Sequence, residues 1–400
     1  MYMTKLSSIA DYVTDKISSN DIALREYVTT DCILQNKKGR EIATNLPPQS
    51  CCLTCYQRGD VLIANIRPYL KKVWFADIDG GASSDVLVFR AKEGHSPSFL
   101  YAVLLQDSFF DYVMQGAKGS KMPRGDKEQI LRYEMPTLSC SEESIGTFFL
   151  NLDQKIRLNE QINQNLEAMA KQLYDYWFVQ FDFPNEEGKP YKSSGGEMLW
   201  NDKLKRNIPV GWHCGNLFEI AVFTNGLACQ KFRPKDDEVP LPVIKIREMH
   251  DGISVDTGEV TSNIPESVKV YNGDVLFSWS ASLEVMLWAY GLGGLNQHIF
   301  KVTSANDFPK SFYYFQLLDY VDVFKKMAEA RKTTMGHITQ DHLQQSTIAI
   351  PDNKDIADKF EELISPIFKQ IVKLQEEISN LIKQRDELLP LLMNGQITIE

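Results

Sequence analysis

Polar and aromatic side chains follow the tetrapeptide Gly-Asp-Val-Leu, which occurs twice in the sequence, starting at Gly59 and at Gly273. The side chains that follow are Asn65, Arg67 and Tyr69 in the first copy and Ser278, Trp279 and Ser280 in the second. Arginine forms paired hydrogen bonds with guanine, and asparagine forms them with adenine. These residue types predict two places at which the chain could contact the edges of nucleic-acid bases.

A basic loop follows each copy further along the chain. Basic residues outnumber acidic ones in residues 118–127 and 323–332, and glycine, serine and threonine lie among or directly after them. The candidate residues are Lys118, Ser120, Lys121, Arg124 and Lys127 in the first loop and Arg331, Lys332, Thr333 and Thr334 in the second. A run of charges usually marks a solvated surface. Because this one recurs at the same place in both copies, we expect it to neutralise phosphates, with the small residues allowing close approach.

Two further groups of polar residues extend the predicted contact surfaces. A basic cluster that occurs only in the second half consists of Lys231, Arg233 and Lys235. A Gly-Gly pair, interpreted as a turn, precedes Ser83, Ser84 and Asp85 in the first half and Asn296, Gln297 and His298 in the second. Gln297 and His298 could contact bases, or the polar groups around them could satisfy the backbone of a turn at the entry to a strand. The sequence leaves both interpretations open.

No arrangement of residues typical of a catalytic site is present. A DNA adenine methyltransferase needs an Asn/Asp-Pro-Pro-aromatic tetrapeptide, but the stretch "NLPPQ" from Asn45 has an inserted leucine and a glutamine in place of the aromatic residue. The "GKP" at Gly188 lacks the glycine pattern of a phosphate-binding loop. His298 and His337 have no serine or cysteine partner pattern for nucleophilic chemistry. We therefore predict a protein that is not an enzyme.

Composition argues against several other classes. The seven cysteines show no zinc-site spacing and are expected to be reduced. No apolar run of about 18 residues exists, and the first residues lack the apolar region of a signal peptide, which predicts a cytoplasmic protein. The net charge of −10 does not by itself indicate nucleic-acid binding. The acidic residues are, however, concentrated outside the basic loops, in stretches such as "DNKDIADKFEEL" and "FDFPNEE".

The elements that must position these residues are duplicated as well. Each copy continues into an aromatic-rich helical stretch, "SFLYAVLLQDSFFDYV" or "SFYYFQLLDYVDVFKK", and closes on a short strand ending in proline. The closing prolines, Pro136 and Pro351, lie 215 residues apart. Order and spacing therefore persist over the whole unit, which indicates a duplicated α/β module.

A long helix is predicted after each module, because mainly apolar residues recur there in alternating steps of three and four. The positions are Phe149, Leu152, Ile156, Asn159, Asn163, Leu166, Ala170, Leu173 and Trp177 in the first helix and Phe360, Ile364, Ile367, Ile371, Leu374, Ile378, Leu381, Arg385, Leu388 and Leu392 in the second. This spacing is typical of a coiled-coil seam, although two independent amphipathic helices, each packed on its own module, would also produce it. Asn159, Asn163 and Arg385 would fix the register of such a seam.

The order of module, helix, module and helix predicts a mixed α/β (α+β) fold. Two similar modules would be separated by a long antiparallel two-helix coiled coil with pseudo-twofold symmetry, and would match DNA half-sites at a fixed spacing. The predicted boundaries are 1–140 for the first module, 141–180 for the central helix, 181–210 for an extended connector, 211–351 for the second module, 352–393 for the distal helix and 394–400 for a tail. Six aromatic residues between Leu173 and Pro184 exceed what a two-helix seam can bury, so we expect partner subunits to dock there.

Three stretches resemble the specificity subunits of type I restriction–modification systems. They are "NGDVLFSWSASLEVMLW" with the later "LNQHIFKV", "LNEQINQNLEAMAKQLYDYWFVQFDFPNEEGKPYKSSGGEM", and the ending "ELLPLLMNGQI". The resemblance covers essentially the whole chain and is most specific between Leu158 and Met198. It implies that the modules are target-recognition domains and that the chain reads a bipartite, asymmetric sequence in double-stranded DNA.

The same resemblance implies partners that carry out the chemistry. Similar proteins recruit two methyltransferase (modification) subunits, and the restriction complex adds motor–nuclease subunits. S-adenosylmethionine, ATP and Mg²⁺ would then be bound by those partners, and this chain would hold no cofactor and no metal. The alternatives are a coiled-coil adaptor that reads no DNA, which the recurring basic loops disfavour, and a methyltransferase with degenerate motifs.

A seven-residue insertion between Leu158 and Leu166 should lengthen the spacer of the DNA target by about three base pairs, because it adds two helical turns, about 10 Å, and keeps the seam in phase. Mapping the methylated sites in cells that produce the variant measures the spacer. A four-residue insertion is the control, since it breaks the seam's phase and should destabilise the coil. An unchanged spacer at full activity in the seven-residue variant would show that the helices do not set the distance.

Overall fold

The computed structural model describes residues 3–136, 141–330, 338 and 340–398, and the chain divides into two compact units. Unit 1 comprises Met1–Leu158 and Asn380–Glu400, and unit 2 comprises Asn159–Ser379. Each unit therefore contains one of the repeated modules together with segments of both long helices. Among the described residues, no helix is both long enough and apolar enough to cross a membrane.

In the part of the chain that the structure describes, the first module and the helix after it supply ten strands and five helices. The strands are β1 (Met3–Lys5), β2 (Ala10–Tyr12), β3 (Lys16–Ser18), β4 (Tyr27–Val28), β5 (Cys52–Tyr56), β6 (Val61–Ala64), β7 (Val73–Phe75), β8 (Gly80–Ala82), β9 (Val86–Ala91) and β10 (Glu134–Pro136). The helices are α1 (Leu6–Ile9), α2 (Pro97–Leu105), α3 (Asp107–Gln115), α4 (Lys127–Ile130) and α5 (Glu142–Tyr174). Short 3₁₀ turns cover Ser19–Asp21, Leu24–Glu26 and Pro68–Leu70.

Three sheets organise unit 1. A four-stranded antiparallel sheet has the order β2-β9-β6-β7, and a second four-stranded sheet has the order β3-β5-β8-β4, in which β4 and β8 run parallel. Strands β1 and β10 pair at the two ends of the module. The core of the unit brings the first sheet together with α2, α3 and the buried residues Leu389, Leu392 and Met393 near the carboxyl end of the chain.

The described residues of the second half supply twelve strands and five helices. The strands are β11 (Met198–Asn201), β12 (Arg206–Pro209), β13 (Trp212–Gly215), β14 (Ala221–Asn225), β15 (Leu241–Ile244), β16 (Glu259–Val260), β17 (Lys269–Val270), β18 (Val275–Ser278), β19 (Glu284–Leu287), β20 (Gly293–Leu295), β21 (Ile299–Ser304) and β22 (Ile348–Pro351). The helices are α6 (Leu217–Ile220), α7 (Ile246–Asp251), α8 (Lys310–Ala330), α9 (Gln340–Gln344) and α10 (Asp355–Met393). A π-helical turn covers Asp175–Val179, and 3₁₀ turns cover Cys229–Lys231 and Glu266–Val268.

The sheets of unit 2 repeat those of unit 1. The antiparallel sheet β14-β21-β18-β19 corresponds to β2-β9-β6-β7, and the terminal pair β13–β22 corresponds to β1–β10. The smaller sheet has the order β16-β15-β20-β17, with β15 and β20 parallel. The predicted mixed α/β fold with a duplicated module is confirmed.

The repeated Gly-Asp-Val-Leu builds the turn that leads into the central strand of each module. Gly59 and Gly273 have positive φ angles of 93° and 87°, which glycine adopts without steric cost. The carboxylate of Asp60 then accepts the backbone N–H of Gln57 at 2.7 Å, and that of Asp274 accepts the N–H of Tyr271 at 2.8 Å. The tetrapeptide is therefore a scaffold element, and this explains its presence in both copies.

The same aspartates also pair with a basic residue on the neighbouring strand. Arg90 on β9 donates two hydrogen bonds to Asp60, at 2.8 and 2.7 Å, and Lys301 on β21 lies 2.8 Å from Asp274. The hydrogen bond and the charge of Asp60 raise the pKa of Arg90 above its usual value, against the opposing effect of burial. A buried carboxylate is tolerated only when it is paired and hydrogen-bonded. These contacts satisfy that condition for the buried Asp60, and the half-buried Asp274 is paired in the same way.

The sequence had suggested that the Gly-Gly pairs are turns, but both pairs lie in central strands. They form β8 and β20, each flanked by one parallel and one antiparallel strand. A Cβ on Gly294 would lie 2.5 Å from Cγ1 of Val260, and a Cβ on Gly80 would overlap the carbonyl oxygen of Glu26. Glycine is required here because neighbouring chains approach too closely for any side chain.

The two long helices pair antiparallel within unit 2. Asn163 on α5 donates from Nδ2 to the carbonyl oxygen of Ile371 on α10 at 3.4 Å, whereas Trp177, further along the chain, lies 5.5 Å from the ring of Phe360. The predicted seam positions are buried or half-buried in both helices. Several of them also pack on the modules. The three-four spacing therefore reflects both the contact between the two helices and the packing of the helices on the modules.

The polar seam residues have different surroundings. In unit 1, Arg385 is 3% exposed and lies 3.5 Å from Asp153, which also accepts a hydrogen bond from the Tyr101 hydroxyl at 2.8 Å. In unit 2, Asn159 is fully buried, and neither atom of its amide has a partner among the described residues. Fixing the register remains a hypothesis for these residues. Arg385 has the partner that such a role requires.

The aromatic cluster after α5 is core and not an exposed docking surface. Tyr174, Trp177, Phe178, Phe181 and Phe183 are each at most 5% exposed and pack against the second module. Their burial corrects the expectation that this surface would be available to partner subunits. Tyr176 alone of the six remains substantially exposed, at 37%. The connector also differs from the expected extended chain, because β11 and β12 form a hairpin.

Gly294→Ala should lower the free energy of unfolding by about 1–3 kcal/mol, because the added methyl group must displace Val260 in a packed sheet. Gly258→Ala is the matched control in the same unit, since the atom nearest to its new Cβ would be Lys245 Nζ at 3.8 Å. Urea unfolding monitored by tryptophan fluorescence measures both variants. Equal stability of the two would contradict the close-approach explanation of the Gly-Gly strand.

Candidate nucleic-acid interface

In unit 1, the segment after β6 and the basic loop before α4 are hydrogen-bonded to each other. The backbone N–H of Arg67 donates to the carbonyl oxygen of Pro123 at 2.8 Å, and the N–H of Gly125 donates to that of Asn65 at 3.3 Å. A Cβ on Gly125 would lie 2.8 Å from the Asn65 side chain, so glycine permits this approach. The fold thus joins the two groups of predicted contact residues of the first module into one surface, the unit-1 tip (residues 65–70 and 118–127).

Arg67 is the most prominently presented residue of the unit-1 tip. Its backbone is left-handed, with φ 53° and ψ 62°, and its carbonyl oxygen accepts the N–H of Leu70 at 2.9 Å. Pro68 restricts the next φ angle. The side chain is exposed, and no carboxylate among the described residues pairs with its guanidinium. Tyr69 beside it is 49% exposed. A guanidinium group that is free of an ion pair and carried by a fixed backbone suits the recognition of a base or a phosphate.

The basic loop combines paired and unpaired cations. Lys118 lies 3.0 Å from Asp126, and Arg124 lies 3.2 Å from Asp85. The hydrogen bond from Lys118 and those from two backbone N–H groups hold the pKa of Asp126 below its usual value. Lys121 and Lys127 are exposed and have no carboxylate partner among the described residues, and Ser120, directly before Lys121, is also exposed. Surface ion pairs are weak, so phosphates can compete for the paired cations as well.

Asn65 lies underneath the unit-1 tip. Its side chain is half-buried, and its Oδ1 atom is inaccessible to solvent and lacks a hydrogen-bond partner among the described residues. Its backbone bonds to Asp85 on one side and Gly125 on the other. The structure therefore places Asn65 where it supports the two segments, and its carbonyl oxygen does not face the surface as a base-reading residue requires.

In unit 2, Trp279, Gln297 and His298 lie together. The Trp279 ring stands 5.5 Å from that of His298, and its Nε1 donates to Oδ1 of Asn225 at 3.2 Å. Gln297 Nε2 lies 3.3 Å from His298 Nε2. All three side chains are half-buried. They form the unit-2 tip, which combines an aromatic surface with amide and imidazole groups that can pair with bases.

Two predicted contact residues of the second module are not available. Ser278 is fully buried, and its hydroxyl donates to the carbonyl oxygen of Ser282. Ser280 is only 8% exposed. The prediction that they contact DNA is corrected. For Ser278 the reason is that β18 is covered on both faces, so its alternating side chains all point into packed structure. Ser280 lies beyond the end of β18 and is buried there.

The basic cluster of the second module is exposed close to the unit-2 tip. The N–H of Gln297 donates to the carbonyl oxygen of Leu227 at 2.8 Å. The side chains of Lys231, Arg233 and Lys235 follow shortly afterwards and are all exposed. The second predicted basic loop, with Arg331, Lys332, Thr333 and Thr334, lies outside the described residues, as does His337. Beyond it, the N–H of Ile338 donates to the carbonyl oxygen of Trp279 at 3.0 Å.

Some contributors were not identified from the sequence. Asn225 positions the Trp279 ring through a hydrogen bond. Its place as the last residue of β14 is the feature that could have identified it. Ser83 forms a backbone turn with Val86, at 3.0 Å, which fits the structural interpretation of that group. Among the described residues, no cluster of histidine, cysteine, aspartate and glutamate could hold a metal ion.

Comparison with known proteins associates this arrangement with one family. Residues 209–384 match the model of the type I restriction modification DNA specificity domain. The chain is 23% identical over 397 residues to the MjaIX specificity subunit of Methanocaldococcus jannaschii, covering 96% of this chain and 87% of that protein. It is 23% identical over 462 residues to the HindI specificity subunit of Haemophilus influenzae, covering 98% of each.

One solved structure confirms the fold. It is the S subunit of a type I restriction–modification system from M. genitalium, which superimposes with a TM-score of 0.61 at 12% identity. The match covers 100% of this chain and 96% of that one.

Arg67→Ala should reduce affinity for the preferred DNA sequence by about 1–3 kcal/mol and relax the base preference at one position, because a bidentate base contact is lost. Lys121→Ala should weaken binding to all sequences alike and reduce the slope of log affinity against log salt by about one. Lys369→Ala, an exposed lysine on α10, is the charge-matched control. Fluorescence anisotropy on matched and altered duplexes at several salt concentrations measures these effects. A uniform loss for Arg67→Ala would assign this residue to phosphate contact.

Proposed function

We propose that the chain is a specificity subunit of a type I restriction–modification system and that it selects the DNA sequence on which the modification and restriction subunits act. The two modules would each read one half of a bipartite, asymmetric target. Such a subunit is not an enzyme. Methylation and cleavage belong to its partners.

The observation that carries this proposal is one scaffold presenting two different tips. Both modules share the Asp-centred turn and the Gly-Gly strand. At the ends of the equivalent strands β6 and β18, however, one module presents Arg67 and the other presents Trp279 beside His298. A reader of two unlike half-sites needs this combination, because the scaffold sets position and the tip sets sequence preference.

Recognition would divide between the loops and the tips. Lys118, Lys121 and Arg124 in unit 1 would neutralise phosphates and orient the module on the duplex, and Lys231 and Arg233 would do so in unit 2. Arg67 would then enter the major groove, where guanine presents two acceptors to its planar fork. An adaptor that reads no DNA would leave these exposed cations without a role.

The proposed complex contains two methyltransferase subunits and, in its restriction form, motor–nuclease subunits. S-adenosylmethionine would bind to the methyltransferase, and ATP and Mg²⁺ to the motor–nuclease. The expected location is the cytoplasm. The chain carries a net charge of −10 although its loops are basic. Its acidic helical surface would therefore contact the protein partners, and its basic loops would contact DNA.

Replacing residues 212–351 by those of a relative should change one half of the DNA target and leave the other half intact. The boundary is suitable because Trp212 and Pro351 are paired at the ends of β13 and β22. The exchanged segment therefore contains both strands of this pair. Methylation mapping of cells that also produce the methyltransferase measures the target. A change in both halves would contradict independent reading.

The purified chain by itself tests whether catalysis belongs to the partner subunits. It should transfer no methyl group from S-adenosylmethionine to DNA and hydrolyse no ATP, whereas adding the methyltransferase should restore methylation at a bipartite site. Activity that persists in the rigorously purified lone chain, or a complex that methylates without a bipartite target, would overturn the proposed function.

A further inference from the structure

The basic loop of the unit-1 tip is a short hairpin with an exposed apolar side chain in its turn. Lys118 and Arg124 exchange both backbone hydrogen bonds, each at 2.9 Å, which leaves residues 119–123 as the turn between them. In this turn the side chain of Met122 is 52% exposed, whereas Pro123 beside it is buried. A single exposed methionine is common on protein surfaces, so its exposure alone indicates no function. Its surroundings and its recurrence do.

The backbone of the turn holds Met122 in place. Gly119 has a positive φ angle of 99°, and a Cβ added there would lie 3.3 Å from the carbonyl oxygen of Met122. Pro123 disfavours helical backbone at the residue before it, and its carbonyl oxygen accepts the N–H of Arg67 at 2.8 Å. The loop is therefore ordered before any ligand binds, and little backbone entropy would be lost on contact.

A hydrogen bond that recurs in both modules shows which residues of the two basic loops correspond. In unit 1 the N–H of Gly125 donates to the carbonyl oxygen of Asn65 at 3.3 Å, and in unit 2 the N–H of Ile338 donates to that of Trp279 at 3.0 Å. The two donors lie 213 residues apart and the two acceptors 214, in agreement with the spacing of the repeated Gly-Asp-Val-Leu. The residues that precede the two donors can therefore be matched one by one.

A methionine stands three residues before the donor in both modules, at Met122 and Met335. Met335 lies outside the described residues, so the match concerns its place in the sequence alone. The base-reading candidates of the two tips differ, with Arg67 in one and Trp279 beside His298 in the other. A residue type that is retained where the tips differ suits a feature that both half-sites share.

Under the proposed function, the feature that both half-sites share is a base to be modified. Two methyltransferase subunits would serve two half-sites, and such enzymes act on a base only after it has left the stack of the duplex. Methionine and proline are among the side chains that proteins insert between base steps to unstack them. The cations on either side of Met122 would bind the phosphates of the same stretch.

We propose that Met122 is an apolar wedge that enters the duplex beside the base to be modified in the unit-1 half-site and stabilises the extruded state of that base. The methyltransferase would hold the extruded base and transfer the methyl group, and Met122 would occupy the space that the base leaves. The wedge rests on the proposed function, because it requires a target base in this half-site.

Met122→Ala should slow methylation of the unit-1 half-site about tenfold, because the gap left by the extruded base would no longer be filled. Methylation of the unit-2 half-site should be unchanged. Single-turnover methyl transfer by the assembled complex, on duplexes that carry an acceptor base in one half-site only, measures both rates. Met122→Leu, which retains an apolar side chain, should stay within about twofold of wild type. Met3→Ala is the matched control, since Met3 is also 52% exposed and lies in unit 1 outside the tip.

A weakened base pair distinguishes a wedge from an ordinary binding contact. A mismatch opposite the target base lowers the cost of extrusion. It should therefore restore most of the rate of Met122→Ala and change the wild-type rate much less. Replacing the thymines of the unit-1 half-site by uracil removes their methyl groups and retains base pairing, and this exchange should leave the difference between wild type and Met122→Ala unaltered.

Several results would overturn the wedge. A Met122→Ala variant that melts like the wild type and methylates both half-sites at the wild-type rate would do so. A loss of rate that the mismatch does not restore would identify a contact that contributes to affinity alone. A difference between wild type and variant that disappears with uracil would identify a contact with a thymine methyl group. A wild-type complex that methylates no bipartite target would overturn the proposed function as well, whereas normal wild-type methylation with an unimpaired variant would overturn the wedge only.

Discussion

The carboxylates of Asp60 and Asp274 hold the start of the central strand in each module, and the placement of the contact residues depends on them. Each accepts a backbone N–H from its turn and pairs with Arg90 or Lys301 on the adjacent strand. Because side chains alternate along a strand, a slip of one residue would turn every side chain to the other face. A paired buried charge penalises that slip, since the carboxylate would lose its partners.

From this common foundation the two modules diverge at the ends of the same strands. The first module presents Arg67 on a left-handed backbone that the basic loop supports through Pro123. The second presents a tryptophan whose indole N–H donates to Asn225 and whose ring lies beside that of His298. Affinity for DNA resides mainly in the phosphate contacts of the loops, and sequence preference in the tips. The two properties can therefore change separately without changes in the core.

The modules also differ in the side chains that lie beside the long helices. Unit 1 inserts Lys37 among the carboxylates of Asp107 and Asp386, and hydrogen bonds from Lys37 and Lys71 lower the pKa of Asp107 although burial opposes this. In unit 2, a cavity lies between α5, α8, α10 and β19, and Lys171 and Glu284 are among the residues that line it.

The sequence alone determined the duplication, the two long helices and the absence of catalytic motifs, because periodicity and motif spacing are local properties of the chain. It could not determine what the Gly-Gly pairs do, since glycine serves equally in a turn and in a strand with close neighbours. Nor could it show that Ser278 is buried, which requires knowing that both faces of β18 are covered. Only the tertiary structure joined Arg67 to the loop at Pro123, because hydrogen bonds between residues distant in sequence leave no periodic pattern.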